Sequence, residues 1–79
     1  MQPAAPQNFS DAETPVGPLD GVNAAFTVVH TPIAGSLQVF LNGVHLAAPG
    51  DYSLSGTAIT FAPTAVPQPG AVIVAFYRY

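Results

Sequence analysis

The chain has 79 residues, of which 49% are hydrophobic and only 6% are charged, and its formal net charge is −3. This length allows one domain at most, and the absence of cysteine excludes a disulfide framework and a thiolate metal site. Its single basic residue argues against nucleic acid as a partner, because phosphate binding needs several Lys or Arg side chains.

The chain carries no apolar run of the ~20 residues that a membrane span requires, and residues 1–6 lack the basic and apolar blocks of a signal peptide. We therefore expect no membrane partner and no Sec export. A typical soluble domain has about 25% charged residues, so this chain has a large uncharged surface that favours association. We expect a homo-oligomer or a larger assembly; the alternative is a monomer covered by Thr, Ser and Asn.

Residues 1–13 are predicted to form an extended N-terminal arm, followed by a β-sandwich body over residues 14–79. The arm is rich in Pro, Gln, Asn and Ser, and Phe9 is the only large apolar side chain between Met1 and Val16. Such a segment buries too little apolar surface to order itself. We expect a neighbouring subunit to order it, with Phe9 as an anchor in an apolar pocket; the alternatives are a crystal contact or packing on its own domain.

The body opens with an extended lead-in near Thr14, which Pro15 and Pro18 limit to an edge position. Asn42-Gly43 predicts a type I′ hairpin, because both residues tolerate the positive φ angles of that turn. Ser55-Gly56 predicts a second turn. Strands are predicted over residues 25–30, 37–41, 44–46, 51–54, 58–61 and 71–77.

The fold class predicted from these elements is all-β, a small β-sandwich or open barrel of about five to seven short antiparallel strands with the N-terminal arm. The last strand is apolar on both faces, which is typical of a central strand or of one with a face against a partner.

Candidate chemical residues are few, and we expect neither catalysis nor a cofactor. His30 and His45 are the only imidazoles, and no nucleophile, base and orienting carboxylate occur in a recognisable pattern. Two histidines without cysteine are too few for zinc. The Asp20–Asn23 segment carries too few oxygen ligands for calcium and is typical of an Asx turn, and Asp51 is expected to bond backbone amides.

The aromatic residues suggest one binding alternative. Tyr77 and Tyr79 lie two apart on the last strand and therefore share a face, and with Tyr52 and Phe40 they are candidates for a sugar-stacking platform. The alternative, which we favour, is core or interface packing. Phe9, Tyr77 and Tyr79 are the predicted partner-binding residues.

Five segments follow one another in a recognisable order: GVNAAFT (21–27), PIAGSLQVFLNG (32–43), GDY (50–52), GTAITF (56–61) and PQPGAVIVAFYRY (67–79). This order resembles a β-rich module of tailed-bacteriophage structural proteins. The resemblance covers residues 14–79 and departs from the pattern at Pro49-Gly50-Asp51, where no residue separates Gly from Asp. The matching positions are mostly turn and core positions, so they specify a fold better than a function.

The resemblance implies a virion protein that assembles in the host cytoplasm. A short chain with an arm is similar to a capsid decoration (cement) protein or a head accessory, whose partner is the phage capsid or another shell protein. The alternative function is a tail or fibre module that recognises a host glycan or receptor. An enzyme fragment has little support in the sequence.

Overall fold

Seven short segments, most of them rich in β-branched and aromatic residues and separated by turns that contain Gly or Pro, are strands in the computed structural model, which describes residues 8–79. A single 3-10 turn at Pro63–Ala65 precedes the last strand. The strands are β1 Phe9–Glu13, β2 Ala25–Thr27, β3 Gln38–Leu41, β4 Val44–His45, β5 Tyr52–Ser55, β6 Ala58–Phe61 and β7 Ile73–Arg78.

The strands form two antiparallel sheets, which confirms the all-β prediction. The four-stranded sheet has the order β1-β7-β3-β4, and the three-stranded sheet has the order β2-β6-β5. Strand β7 lies between β1 and β3, as its apolar sequence on both faces predicts for a central strand.

The core lies between the two sheets. Val39 pairs with Ala75 in the four-stranded sheet, and Phe26 pairs with Ile59 in the three-stranded sheet; all four side chains are almost fully buried. The rings of Phe26 and Phe61 meet edge to face, with centroids 5.5 Å apart. Further core residues are Val28, Leu46, Tyr52, Ile73 and Tyr77.

Glycines with positive φ angles set the positions of the two hairpin turns. Asn42 and Gly43 have φ angles of 52° and 83°, which confirms the predicted type I′ turn. The Asn42 side chain also accepts a hydrogen bond from the backbone N–H of Val72 at 2.9 Å, so the turn is tied to the segment before β7. The second turn lies at Gly56-Thr57, one residue later than predicted, because Gly56 takes the positive φ (60°) at the first turn position.

The N-terminal segment differs from the expected arm. Residues 1–7 lie outside the described residues, but residues 9–13 form β1 and pair with β7 of the same chain. The domain boundary predicted after residue 13 therefore falls at the end of a strand of the body. Composition does not reveal this strand, because the side chains it turns inward, Ser10 and Glu13, are polar and give no apolar alternation.

Candidate interaction surface

The four-stranded sheet turns one face away from the core, and we call this face the outer aromatic face. Cross-strand register places its members side by side: Phe40 lies opposite Val74, and Gln38 lies opposite Phe76. The face alternates with the buried residues of β7, as expected for a strand with period two. Its members are Phe9, Gln38, Phe40, Val74, Phe76 and Arg78.

The rings on this face contact one another. Phe40 and Phe76 meet edge to face with centroids 5.7 Å apart, and the His45 ring lies 5.0 Å from that of Phe40. Phe9 continues the row at the sheet edge and is 63% exposed. Aromatic side chains of this size are the ones that dominate protein interfaces when a partner buries them.

A shallow cavity of about 140 Å³ lies between Phe9 and Phe76. Its lining includes Arg78, which is the only basic residue of the chain, together with Asp11 and Gln38. The surface thus combines apolar rings with one positive charge and one carboxylate, a composition that suits recognition of another protein.

On the inner side of the same sheet, a polar cluster holds β1 against the body. The Tyr77 hydroxyl donates to Glu13 Oε1 at 2.7 Å, and the Ser10 hydroxyl donates to the same oxygen at 2.6 Å. Glu13 Oε2 accepts from the backbone N–H of Val29 at 2.8 Å, and the backbone N–H of His30 donates to the Tyr77 hydroxyl oxygen at 3.1 Å. We call these contacts of Glu13 and Tyr77 the β1 latch.

The β1 latch shifts the acidity of both its titratable partners. Burial alone raises the pKa of Glu13, but hydrogen bonds from Ser10, Tyr77 and Val29, with a smaller attraction from His30, outweigh it and hold that pKa below its ordinary value. Burial is the largest cause of the raised pKa of Tyr77, and the hydrogen bond to the Glu13 carboxylate raises that pKa further. The latch therefore favours a charged Glu13 and a neutral Tyr77.

The three predicted partner-binding residues have different positions. Phe9 lies on the outer aromatic face, whereas Tyr77 is a core residue with 3% of its surface exposed. Tyr79 is half-buried and stacks on the His30 ring, with centroids 3.7 Å apart and planes 7° from parallel. The expectation that Tyr77 contacts a partner is therefore not supported by its position, because β7 turns that side chain inward.

Burial excludes Tyr52 from the predicted sugar-stacking platform, as it excludes Tyr77. Tyr52 is 5% exposed, and its hydroxyl lies 3.5 Å from the carbonyl oxygen of Leu37. Stacking on a sugar needs an open aromatic face, so Tyr52 and Tyr77 cannot supply it here.

The acidic turns have local structural roles. Asp20 accepts the backbone N–H groups of Val22 and Asn23 at 2.9 and 2.8 Å, which is the predicted Asx turn and lowers the pKa of Asp20. Asp51 accepts the backbone N–H of Ala47 at 2.9 Å, as predicted. No set of three or more potential metal-ligating His, Asp or Glu side chains comes together within residues 8–79.

Sequence reasoning did not identify Phe76 or Glu13, and it named Phe40 only as a candidate for the sugar-stacking platform. The two phenylalanines are hard to identify because β3 and β7 carry apolar residues on both faces, so their patterns do not say which face points outward. The partners of Glu13 are distant in sequence, since Tyr77 is 64 positions away.

Across the described part of the chain, no helix is both long and apolar enough to cross a bilayer. Comparison of the chain with protein-family models, with curated proteins and with solved structures gives no match.

Proposed function

We propose that this chain is a non-enzymatic structural protein of a tailed-bacteriophage virion, a capsid decoration or head accessory protein that binds and stabilises the shell. The observation that carries the proposal is the outer aromatic face, together with the resemblance of residues 14–79 to a virion module. The partner is a shell protein, and the site of action is the assembled particle.

The outer aromatic face has the chemistry of a protein-binding surface. Phe9 is 63% exposed, and burying one phenylalanine side chain fully is worth about 1.5–3 kcal/mol. Its neighbours Phe40 and Phe76 are half-buried and pre-arranged by their edge-to-face contact, so binding orders few additional side chains. A partner that covers this face gains apolar burial at low entropic cost.

The charge distribution supports the same proposal. Only one basic and four acidic residues occur in the chain, so few charges must lose their hydration when the surface is covered. Arg78 lies within the outer aromatic face and offers a single positive contact for a carboxylate of the shell protein.

The polar cluster supports a structural role rather than a catalytic one. The hydroxyl of Tyr77 and both carboxylate oxygens of Glu13 already take part in hydrogen bonds that hold β1. Since Tyr77 is 3% exposed, its hydroxyl has little access to a substrate. The cluster therefore supports stability.

Particles that lack the protein test the proposal. They should assemble but release their DNA at a lower temperature than complete particles, because a ligand that binds only the intact shell stabilises it by mass action. Purified protein added back should restore the release temperature and should saturate at a fixed ratio to the shell subunit. Depleted particles that stay robust yet fail to adsorb to cells would contradict this proposal and favour the tail or fibre receptor-binding alternative.

A matched pair of variants tests the surface itself. Phe9→Ser should weaken binding to depleted particles by about tenfold, corresponding to roughly 1.4 kcal/mol of lost burial. Val22→Ser serves as the control, because Val22 is 83% exposed and lies in the loop before β2, outside the outer aromatic face. Equal affinities for the two variants would contradict the assignment of this face.

A further inference from the structure

Strand β1 adds no side chain to the hydrophobic core. The buried core residues come from β2, β3, β5, β6, β7 and loop positions, whereas Phe9 is 63% exposed and the rest of β1 is exposed or half-buried. The strand is held by its backbone pairing to β7 and by the β1 latch. It can therefore leave the sheet without opening the core.

β1 covers the edge of β7, and this edge would have unpaired backbone groups without a strand beside it. Without β1, the backbone groups of β7 on that side lose their partners, next to the apolar run from Ile73 to Phe76. An unpaired apolar edge of this kind readily accepts another strand.

The connection after β1 is short. Val16 is fixed to Thr27 by two backbone hydrogen bonds of 2.8 and 2.9 Å, so only Thr14 and Pro15 link the end of β1 to this anchored point. A short hinge favours strand exchange between copies, because it constrains a chain whose β1 pairs with its own β7 more than a chain whose β1 is released. Pro15 stiffens this hinge.

The β1 latch also favours β1 over strands of other sequence at the β7 edge. A strand without a carboxylate at the position of Glu13 would leave the hydroxyl of Tyr77, a residue that is 3% exposed, without its acceptor, and an unpaired polar group is costly when it is removed from water. A second copy of β1 restores each contact. We infer that β1 is an exchangeable strand, which can bind the β7 edge of a second copy of this chain in place of its own.

Single-cysteine variants test the exchange, because the chain has no cysteine of its own. Phe9 and Arg78 are directly opposite each other, next to the hydrogen-bonded pair Asn8 and Tyr79. They therefore form a non-hydrogen-bonded pair, where side chains approach closely enough for a disulfide. Phe9→Cys mixed with Arg78→Cys places one thiol on each chain, so strand exchange brings the two thiols together between chains.

The control mixes Ser53→Cys with Thr60→Cys, which are exposed and opposite each other on β5 and β6 within the body. After incubation and mild oxidation, mass spectrometry should find at least about tenfold more cross-linked 9–78 heterodimer than 53–60 heterodimer, because positions held adjacent have a millimolar effective concentration. Equal yields in the two mixtures would overturn the inference.

The double variant Phe9→Cys/Arg78→Cys gives a second measurement. Its oxidised form, closed within one chain, keeps β1 on its own β7 and should remain monomeric in native mass spectrometry, while the unsubstituted chain forms dimers as its concentration rises. Dimers that persist in the locked form, or an unsubstituted chain that stays monomeric throughout, would overturn strand exchange.

Discussion

The backbone of Ala12 has a conformation that glycine adopts at a lower cost in free energy. Its φ angle is 54°, at the irregular step in the β1–β7 ladder between Ser10 and Glu13. The left-handed region costs an ordinary residue roughly 1–2 kcal/mol, and this conformation lets both Ser10 and Glu13 face inward.

Ala12→Gly should therefore stabilise the fold by about 0.5 kcal/mol, after the greater entropy of glycine in the unfolded chain is subtracted. Ala58→Gly is the matched control, since Ala58 lies in regular strand β6 and glycine there should destabilise by about 0.5–1 kcal/mol. Urea unfolding measures both. Destabilisation by Ala12→Gly would contradict the left-handed assignment.

Gly43 offers a second comparison, because its φ angle is 83° and a Cβ there would meet no atom within 4 Å. Any cost of Gly43→Ala is therefore a backbone cost, about 1 kcal/mol. Gly50→Ala is the control: it lies in another turn, without a left-handed φ and with room for a Cβ. Thermal unfolding should show a lower Tm for Gly43→Ala only; similar melting temperatures would contradict the type I′ turn.

At the scale of the element, β1 is stabilised by groups that titrate. The lowered pKa of Glu13 means that its contribution to stability is present above the ordinary carboxyl pKa and is lost as pH falls through the lowered value. The raised pKa of Tyr77 acts in the opposite direction, so its contribution is present below the ordinary tyrosine pKa and is lost as pH rises.

Hydrogen exchange of β1 measured against pH should therefore show loss of protection in acid. Glu13→Gln isolates the acid effect, because Asp20 also has a lowered pKa and remains titratable in both proteins. We expect the variant to lose less protection on acidification than the parent. Tyr77→Phe should reduce the alkaline loss, whereas the buried Tyr52, whose pKa is also raised, remains as background. Parallel pH profiles for parent and Glu13→Gln would contradict the latch.

These elements show where prediction from sequence succeeds. The Asn42-Gly43 turn is predictable because its geometry is local and depends on two residues that tolerate positive φ. The central position of β7 follows from apolar side chains on both of its faces. Strand β1 is not predictable in this way, since its inward side chains are polar and their partners are distant in the chain.

The residues of the candidate surface also divide into those that the sequence identifies and those that it does not. Phe9 is identifiable as an isolated ring in a polar segment. Phe76 and Tyr77 are adjacent aromatic residues on β7, and one of them must face inward. Only the pairing of β7 with β3 decides that Tyr77 is buried and that Phe76 is not, and this pairing is long-range.

At the scale of the whole molecule, the body and its edge strand are separable parts. Deletion of residues 1–13 should leave the core folded, because β1 contributes no core residue, but it should expose the β7 edge. We expect this protein to keep its β-sheet circular dichroism and to self-associate more strongly by light scattering.

Deletion of residues 1–7 alone retains β1 and is the matched control for this experiment. We expect it to resemble the full chain in light scattering. If both deletions associate equally, the effect does not arise from the β7 edge.

Arg78 has a consequence for how this protein is detected. It is the only Lys or Arg in the chain, so trypsin, which cleaves after basic residues, has a single site and leaves residues 1–78 in one piece. The Arg78 carbonyl at that site accepts a hydrogen bond from the N–H of Ile33, a loop residue, at 2.7 Å, so cleavage requires this contact between β7 and the loop to open. Cleavage after Arg78 therefore reports on opening of this end of β7. A search for this chain by tryptic peptides would overlook it, whereas chymotrypsin, which cleaves at aromatic residues, would reveal it.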